Sequence, residues 1–112
     1  MEKFKEVFNL LKNSDDEDDM KKYAKECIEI LNNEINRYYK SINDFKYDSE
    51  NIKDFIISFG YYFQTIDEYA HDFNNEMNSD KFTKFNYKDE AKQMIDKTDA
   101  VYNAFLKLEE HI

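Results

Sequence analysis

Glycine and proline are nearly absent from this chain, which holds one glycine and no proline in 112 residues. Tight turns between β-strands depend on residues such as glycine that accept a positive φ angle, and proline supports many of the others. A turn-rich β-sandwich or barrel is therefore disfavoured, and a helical protein is favoured. Hydrophobic residues make up 41% of the chain, enough for a core despite 37% charged residues.

Apolar residues recur at steps of three and four, which is the spacing of one face of an α-helix. The apolar stripes run from Phe4 to Leu11, Met20 to Phe45, Ile52 to Met77 and Ala91 to Leu108. The stretches KYDSEN (46–51) and NSDKFTKFNYKDE (78–90) separate the last three stripes. We predict an all-α fold, an up-down antiparallel helical bundle of three long helices plus a short N-terminal helix, in a single domain over residues 1–112.

Five consecutive acids stand in the stretch NSDDEDDM at residues 13–20. Ser14 and Glu17 match the capping box S-x-x-E, which predicts Ser14 as the N-cap of the second helix. The acids then lie near the first turn, where backbone amides favour negative charge. Five acids exceed what a cap requires, so a contribution to partner binding stays open. The candidate residues for that contribution are Asp15, Asp16, Asp18 and Asp19.

Motifs that carry chemistry are sparse. Calcium loops need a turn-making glycine, which the acidic run lacks. Glu68 and His71 have the E-x-x-H spacing of dimetal bundles, but the only other histidine, His111, has no glutamate three residues before it. Cys27 falls on an apolar stripe, where cysteine is normally inert, and no nucleophile elbow, P-loop or dinucleotide-binding motif is present. We expect no enzyme activity, no metal and no cofactor.

The third helix carries most of the information about function. From Asp54 to Asp80 it holds six acids and no Lys or Arg, in a chain of net charge −9. Like charges four residues apart cost about 0.2–0.5 kcal/mol per pair, and a solvated helix can avoid that cost by mixing signs. The predicted partner-binding surface comprises the ridge Glu68, Asp72 and Glu76 with the neighbouring Tyr61, Gln64, Thr65 and Asp67. The alternative is an acidic solvent face without a function.

Gly60 is the only glycine and falls inside this third helix. Glycine in a helix interior costs about 1 kcal/mol relative to alanine. Four interpretations stay open at this stage: a kink, a break into two helices, a close helix contact, or room for the side chain of a partner.

An acidic helical chain without catalytic motifs is expected to act by binding. We favour a non-catalytic module that docks its carboxylates on a basic, nucleic-acid-binding surface of a partner and so inhibits or neutralises it, as a nucleic-acid mimic. In general outline, though in no motif, the chain resembles the immunity proteins of nuclease bacteriocins and the small phage-encoded inhibitors of bacterial nuclease defences. That resemblance implies an anti-defence, immunity or antitoxin-like role and makes a nuclease the first partner to test.

The alternative function is that of a structural or adaptor bundle that self-associates as a homodimer through Tyr39, Tyr47 and Tyr61. The acidic balance disfavours direct binding to nucleic acid or to an anionic membrane. The sequence shows neither a leader pattern at its N-terminus nor a long apolar stretch, so we expect a cytoplasmic location.

Overall fold

The computed structural model describes residues 1–44 and 52–110. Within them the chain forms four helices and no strand: α1 (Glu2–Asn13), α2 (Glu17–Asp44), α3 (Ile52–Met77) and α4 (Lys88–Glu109). The prediction of an all-α fold with one short and three long helices is confirmed. The predicted interruption at 46–51, including Tyr47, lies outside the described residues, as do Phe45 and His111.

The helices form an elongated bundle with principal dimensions of 53 × 23 × 17 Å. α3 packs against α4 and α2, α2 also packs against α4, and α1 packs against α2. Short connections force neighbouring helices to run antiparallel, which gives the predicted up-down arrangement. Because α1 is less than half as long as α2, it covers only one end of the bundle.

The end of the bundle that contains α1 is closed by aromatic packing. Phe4 and Phe8 stack at a ring-centroid distance of 5.4 Å, and Phe4 also lies 4.8 Å from the ring of Tyr69 on α3. The apolar face predicted for α1 is buried, and it comprises Phe4, Val7, Phe8 and Leu11. α1 is therefore held by α2 and α3 together.

The end away from α1 is held by a second group of rings. Phe59 of α3 stacks on Phe105 of α4 at 5.0 Å and on Phe63 at 5.4 Å. Tyr38 of α2 meets Phe59 edge-on at 5.2 Å. Such pairs contribute about 0.5–1.5 kcal/mol each beyond the area they bury. Three helices are thus joined through the ring of Phe59.

The inner face of α4 differs from the prediction at one position. The steps of three and four from Ala91 to Leu108 pass through Tyr102 and predict it inside, but Tyr102 is 49% exposed and Val101 is buried in its place. The reason is that the stripe through Thr98 and Phe105 leaves Tyr102 at its margin, where the phenol reaches solvent. The hydroxyl of Thr98 donates to the carbonyl oxygen of Met94 at 2.6 Å, as expected for a buried threonine in a helix.

The connection between α3 and α4 is part of the core. Phe82 is 1% exposed, a burial that the helical spacing did not predict. The ammonium of Lys81 donates to the carbonyl oxygen of Lys12 at the end of α1 (2.7 Å), and Lys84 pairs with Glu17 at the start of α2 (2.6 Å). The connection therefore fastens onto the end of the bundle where α1 meets α2.

Gly60 lies in an uninterrupted α3, so the break into two helices is excluded. A Cβ atom added at Gly60 would lie 3.5 Å from the ring of Phe105, which is ordinary van der Waals contact. The structure thus supports a close helix contact that still has room for a methyl group.

We predict that Gly60→Ala raises the free energy of unfolding by about 0.5–1 kcal/mol, because alanine loses less backbone entropy and the methyl group finds space. The measurement is urea denaturation followed by helical circular dichroism. Asn75→Ala, at an exposed position of the same helix, is the control for helix propensity alone. A loss of stability in Gly60→Ala would show that α3 and α4 pack more closely than described.

Candidate functional site

The acidic run at residues 15–19 begins α2, but its cap differs from the prediction. Ser14 is the C-cap of α1: its backbone amide and its hydroxyl both donate to the carbonyl oxygen of Leu11, the hydroxyl at 2.7 Å. Asp16 is the residue that caps α2, because its carboxylate accepts from the amide of Asp18 at 3.0 Å. The predicted capping box of Ser14 and Glu17 is therefore wrong, since Ser14 is already committed to the preceding helix.

The other acids of this run divide into two groups. Glu17 accepts a hydrogen bond from Lys84, and this bond together with the lysine charge lowers the pKa of the Glu17 carboxyl. Asp15, Asp18 and Asp19 are exposed and form no ion pair with any described residue. Asp16 and Glu17 thus have structural roles, and three carboxylates remain for other contacts.

The outer face of α3 is the second group of predicted site residues. We define it as Tyr61, Gln64, Thr65, Glu68, Asp72 and Glu76. Tyr61 is 74% exposed, and Gln64, Glu68 and Asp72 are exposed as well. Thr65 and Glu76 are half-buried. A partner-binding role predicts that Thr65 is exposed, but its short side chain stays close to its own helix.

The carboxylates of this face have no cationic partner within the described residues. Two Lys or Arg ion pairs are found among the described residues, Arg37 with Glu34 at 2.7 Å and Lys84 with Glu17, and the imidazole of His71 lies near the carboxylate of Asp67. The first is an i,i+3 pair on the surface of α2. None of them involves Glu68, Asp72 or Glu76, so the lysines of α4 do not neutralise the ridge.

Exposed apolar side chains lie at the end of the bundle away from α1. Ile57 is 66% exposed and Tyr62 is 59% exposed, and the rings of Tyr61 and Tyr62 meet edge-on at 5.3 Å. On α4, Tyr102 and Leu106 are 49% and 39% exposed. Ile57 was missed from the sequence, although its position four residues before Tyr61 places it on the same face of α3. Exposed apolar side chains on the helix that carries unpaired carboxylates are typical of protein-binding surfaces.

A groove between α3 and α4 adjoins the outer face and has a volume of about 610 Å³. It is lined by Gly60, Phe63, Gln64, Asp67, His71, Asp99, Tyr102 and Phe105. Asp67 and Gln64 were selected from the sequence as partner-binding residues. Asp99 and Tyr102 were missed, because their position in a groove depends on how α4 pairs with α3, which the spacing within one helix does not reveal.

The imidazole of His71 is oriented by its own helix. Its Nδ1 lies 2.9 Å from the carbonyl oxygen of Asp67 and 3.6 Å from the Asp67 carboxylate. Because a carbonyl oxygen only accepts, Nδ1 carries the proton in this arrangement. The E-x-x-H spacing pairs His71 with Glu68, but in the structure His71 contacts Asp67.

Metal ligands and nucleophiles are the remaining groups that could carry chemistry. Among residues 1–44 and 52–110, no group of three or more His, Cys, Asp or Glu side chains is placed to hold a metal ion. Cys27 is fully buried, and burial raises the pKa of its thiol to about 12. A thiol held neutral in the core is a packing group, since the thiolate is the reactive form.

None of the helices in the described part of the chain is long and apolar enough to cross a membrane. Comparison of the chain with protein-family models, with curated proteins and with solved structures gave no match. The fold and the site geometry are therefore the basis of the functional proposal.

We predict that Asp16→Ala lowers the free energy of unfolding by about 1 kcal/mol, because the amide of Asp18 loses its acceptor at the start of α2. Thermal or urea unfolding measures the change. Asp16→Asn retains a capping oxygen and should remain close to wild type, as should Asp15→Ala. Equal losses for Asp15→Ala and Asp16→Ala would contradict the assignment of the cap.

Proposed function

We propose that this protein is a non-catalytic acidic binding module whose outer face of α3 docks on a basic, nucleic-acid-binding surface of a partner protein and inhibits that partner. The observation that carries the proposal is the row of carboxylates on α3, exposed at Glu68 and Asp72 and half-buried at Glu76, that have no cationic partner among the described residues. The proposal includes a cytoplasmic location and an anti-defence, immunity or antitoxin-like role, both of which rest on the sequence.

Electrostatics supports a basic partner. Glu68, Asp72 and Glu76 succeed one another by one helical turn, so their charges repel in the free protein. A lysine or arginine from a partner would remove that repulsion and add charge-assisted hydrogen bonds. Carboxylates spaced along a helix can occupy cationic sites that otherwise hold phosphates, and such fields also raise the rate of association.

The exposed aromatic and aliphatic side chains in the first half of α3 support a protein partner over a nucleic acid. Tyr61 and Ile57 expose most of their surface to solvent. Interfaces between proteins bury a hydrophobic centre inside a polar rim, and tyrosine is frequent among the residues that contribute most to affinity. An acidic face of this kind repels the phosphates of DNA and RNA directly.

The test of the proposal is affinity capture from a lysate of the source organism. The immobilised wild type is expected to retain a basic nucleic-acid-binding protein, and Glu68→Gln/Asp72→Asn/Glu76→Gln should lose it. Retention should weaken steeply with salt, since exposed charges are screened within about 8 Å at physiological ionic strength. The captured protein should also lose its nucleic acid in a gel-shift assay when the wild type is added.

The matched control is Glu90→Gln/Asp96→Asn/Glu109→Gln, which removes the same number and type of carboxylates from exposed positions on α4. It should capture the partner as the wild type does. Equal loss in both variants would show a dependence on net charge alone. Equal capture by all three proteins would exclude the outer face of α3 as the docking surface.

A second candidate function, self-association as a structural or adaptor bundle, is favoured by the exposure of Tyr39, Tyr61 and Leu106. It predicts a dimer in sedimentation equilibrium that persists at high salt, because an apolar interface is not screened. Leu106→Ser/Tyr61→Ser should then yield monomers. The first proposal predicts a monomer for the wild type alone at all salt concentrations.

A further inference from the structure

The groove between α3 and α4 is lined by both aromatic rings and carboxylates. Three aromatic side chains line it, Phe63, Phe105 and Tyr102. Asp67 and His71 from α3 and Asp99 from α4 line it as well, and among the described residues no lysine or arginine does. A concave site of several hundred cubic ångströms with apolar walls and a few convergent polar groups is the usual form of a ligand site.

The chemistry of the lining defines the ligand. Carboxylates on both walls favour a cation, and an exposed tyrosine beside them favours a flat cation that can lie against a ring. The guanidinium of arginine meets both requirements, since it binds carboxylates through two parallel hydrogen bonds and stacks on aromatic faces. The side chain amide of Gln64 adds an oxygen acceptor at the same site.

We propose that this groove is a pocket for an arginine side chain of the partner, held between Asp67 and Asp99 and packed against Tyr102. The proposal rests on the proposed function in that the arginine belongs to the basic partner. It goes further by assigning a specific pocket and by adding Asp99 and Tyr102 of α4 to the docking surface.

A second copy of this chain does not supply the arginine. The only arginine in the sequence is Arg37, whose guanidinium bonds to Glu34 at 2.7 Å and lies 5.4 Å from the ring centre of Tyr38. Using it in a dimer would break both contacts. The occupant therefore comes from a different protein.

The test uses a probe in place of the partner, so that it does not depend on the partner being known. Isotope-labelled wild type is titrated with N-acetyl-arginine amide and followed by amide chemical shifts. N-acetyl-citrulline amide has nearly the same shape without the charge and is the control ligand. We expect saturable shifts at Gly60, Gln64, His71 and Tyr102 with the arginine probe, and affinity at least about tenfold weaker with citrulline.

Two variants with equal charge changes locate the site. Asp67→Asn/Asp99→Asn should lose binding of the arginine probe by about tenfold or more. Asp54→Asn/Asp96→Asn alters one exposed carboxylate on each of the same two helices outside the groove, and should bind as the wild type does. The dispersed amide spectrum of each variant confirms that it is folded.

The outcomes separate the pocket from the proposed function. Shifts confined to Glu68, Asp72 and Glu76, or no saturable shift, would overturn the arginine pocket while leaving docking on the outer face to the capture experiment. Equal binding of arginine and citrulline would also overturn it, because the carboxylates would then contribute nothing. Binding of the probe in the groove without capture of any basic protein would retain the pocket and reject the proposed partner.

Discussion

The ring contacts of Phe59 with Phe105 and Tyr38 fix the rotation of α3 between its two neighbours. A helix turns by about 100° per residue, so burying one stripe determines the position of every other side chain on it. Glu68 and Asp72 are thereby directed away from the core, and the residues between the stripe and the outer face come to the border with α4. The positions of the acidic outer face and of the groove therefore both follow from how Phe59 packs in the core.

The two ends of the bundle are built differently. At one end α1 covers α2 and α3, Phe82 fills the core, and Lys84 ties the connection 78–87 to Glu17. At the other end three helices pack without that cover, and there Ile57 and Tyr61 are exposed. Burial of apolar surface is the main source of stability. Because Ile57 and Tyr61 stay in water, the end without α1 gains less stability from burial. The acidic ridge, Glu68 to Glu76, lies in the half of α3 nearer the covered end, where the neighbouring Tyr69 packs on Phe4 of α1.

The sequence predicted the features that depend on spacing within one helix and missed those that depend on relations between helices. The helices and most buried positions followed from apolar steps of three and four. The cap of α2 was misassigned because Ser14 satisfies two patterns, and only the folded chain shows that it ends α1. Phe82 carries no helical period, so its burial had no signal. The groove was unpredictable in the same sense: Asp99 and Asp67 line one groove only after α4 has been placed against α3.

The distribution of ion pairs argues for a partner more strongly than the net charge does. Elsewhere in the described residues, carboxylates do have cationic partners: Glu34 pairs with Arg37, and Glu17 pairs with Lys84. Each exposed pair contributes little to stability, about 0–1 kcal/mol, so the folded state alone gives slight reason to place or omit one. Along α3 the repulsion between successive carboxylates is left uncompensated within the described residues, although a single lysine at one of these exposed positions would relieve it. An arrangement that costs the free protein stability and becomes favourable only beside external cations is what a docking surface for a basic partner requires.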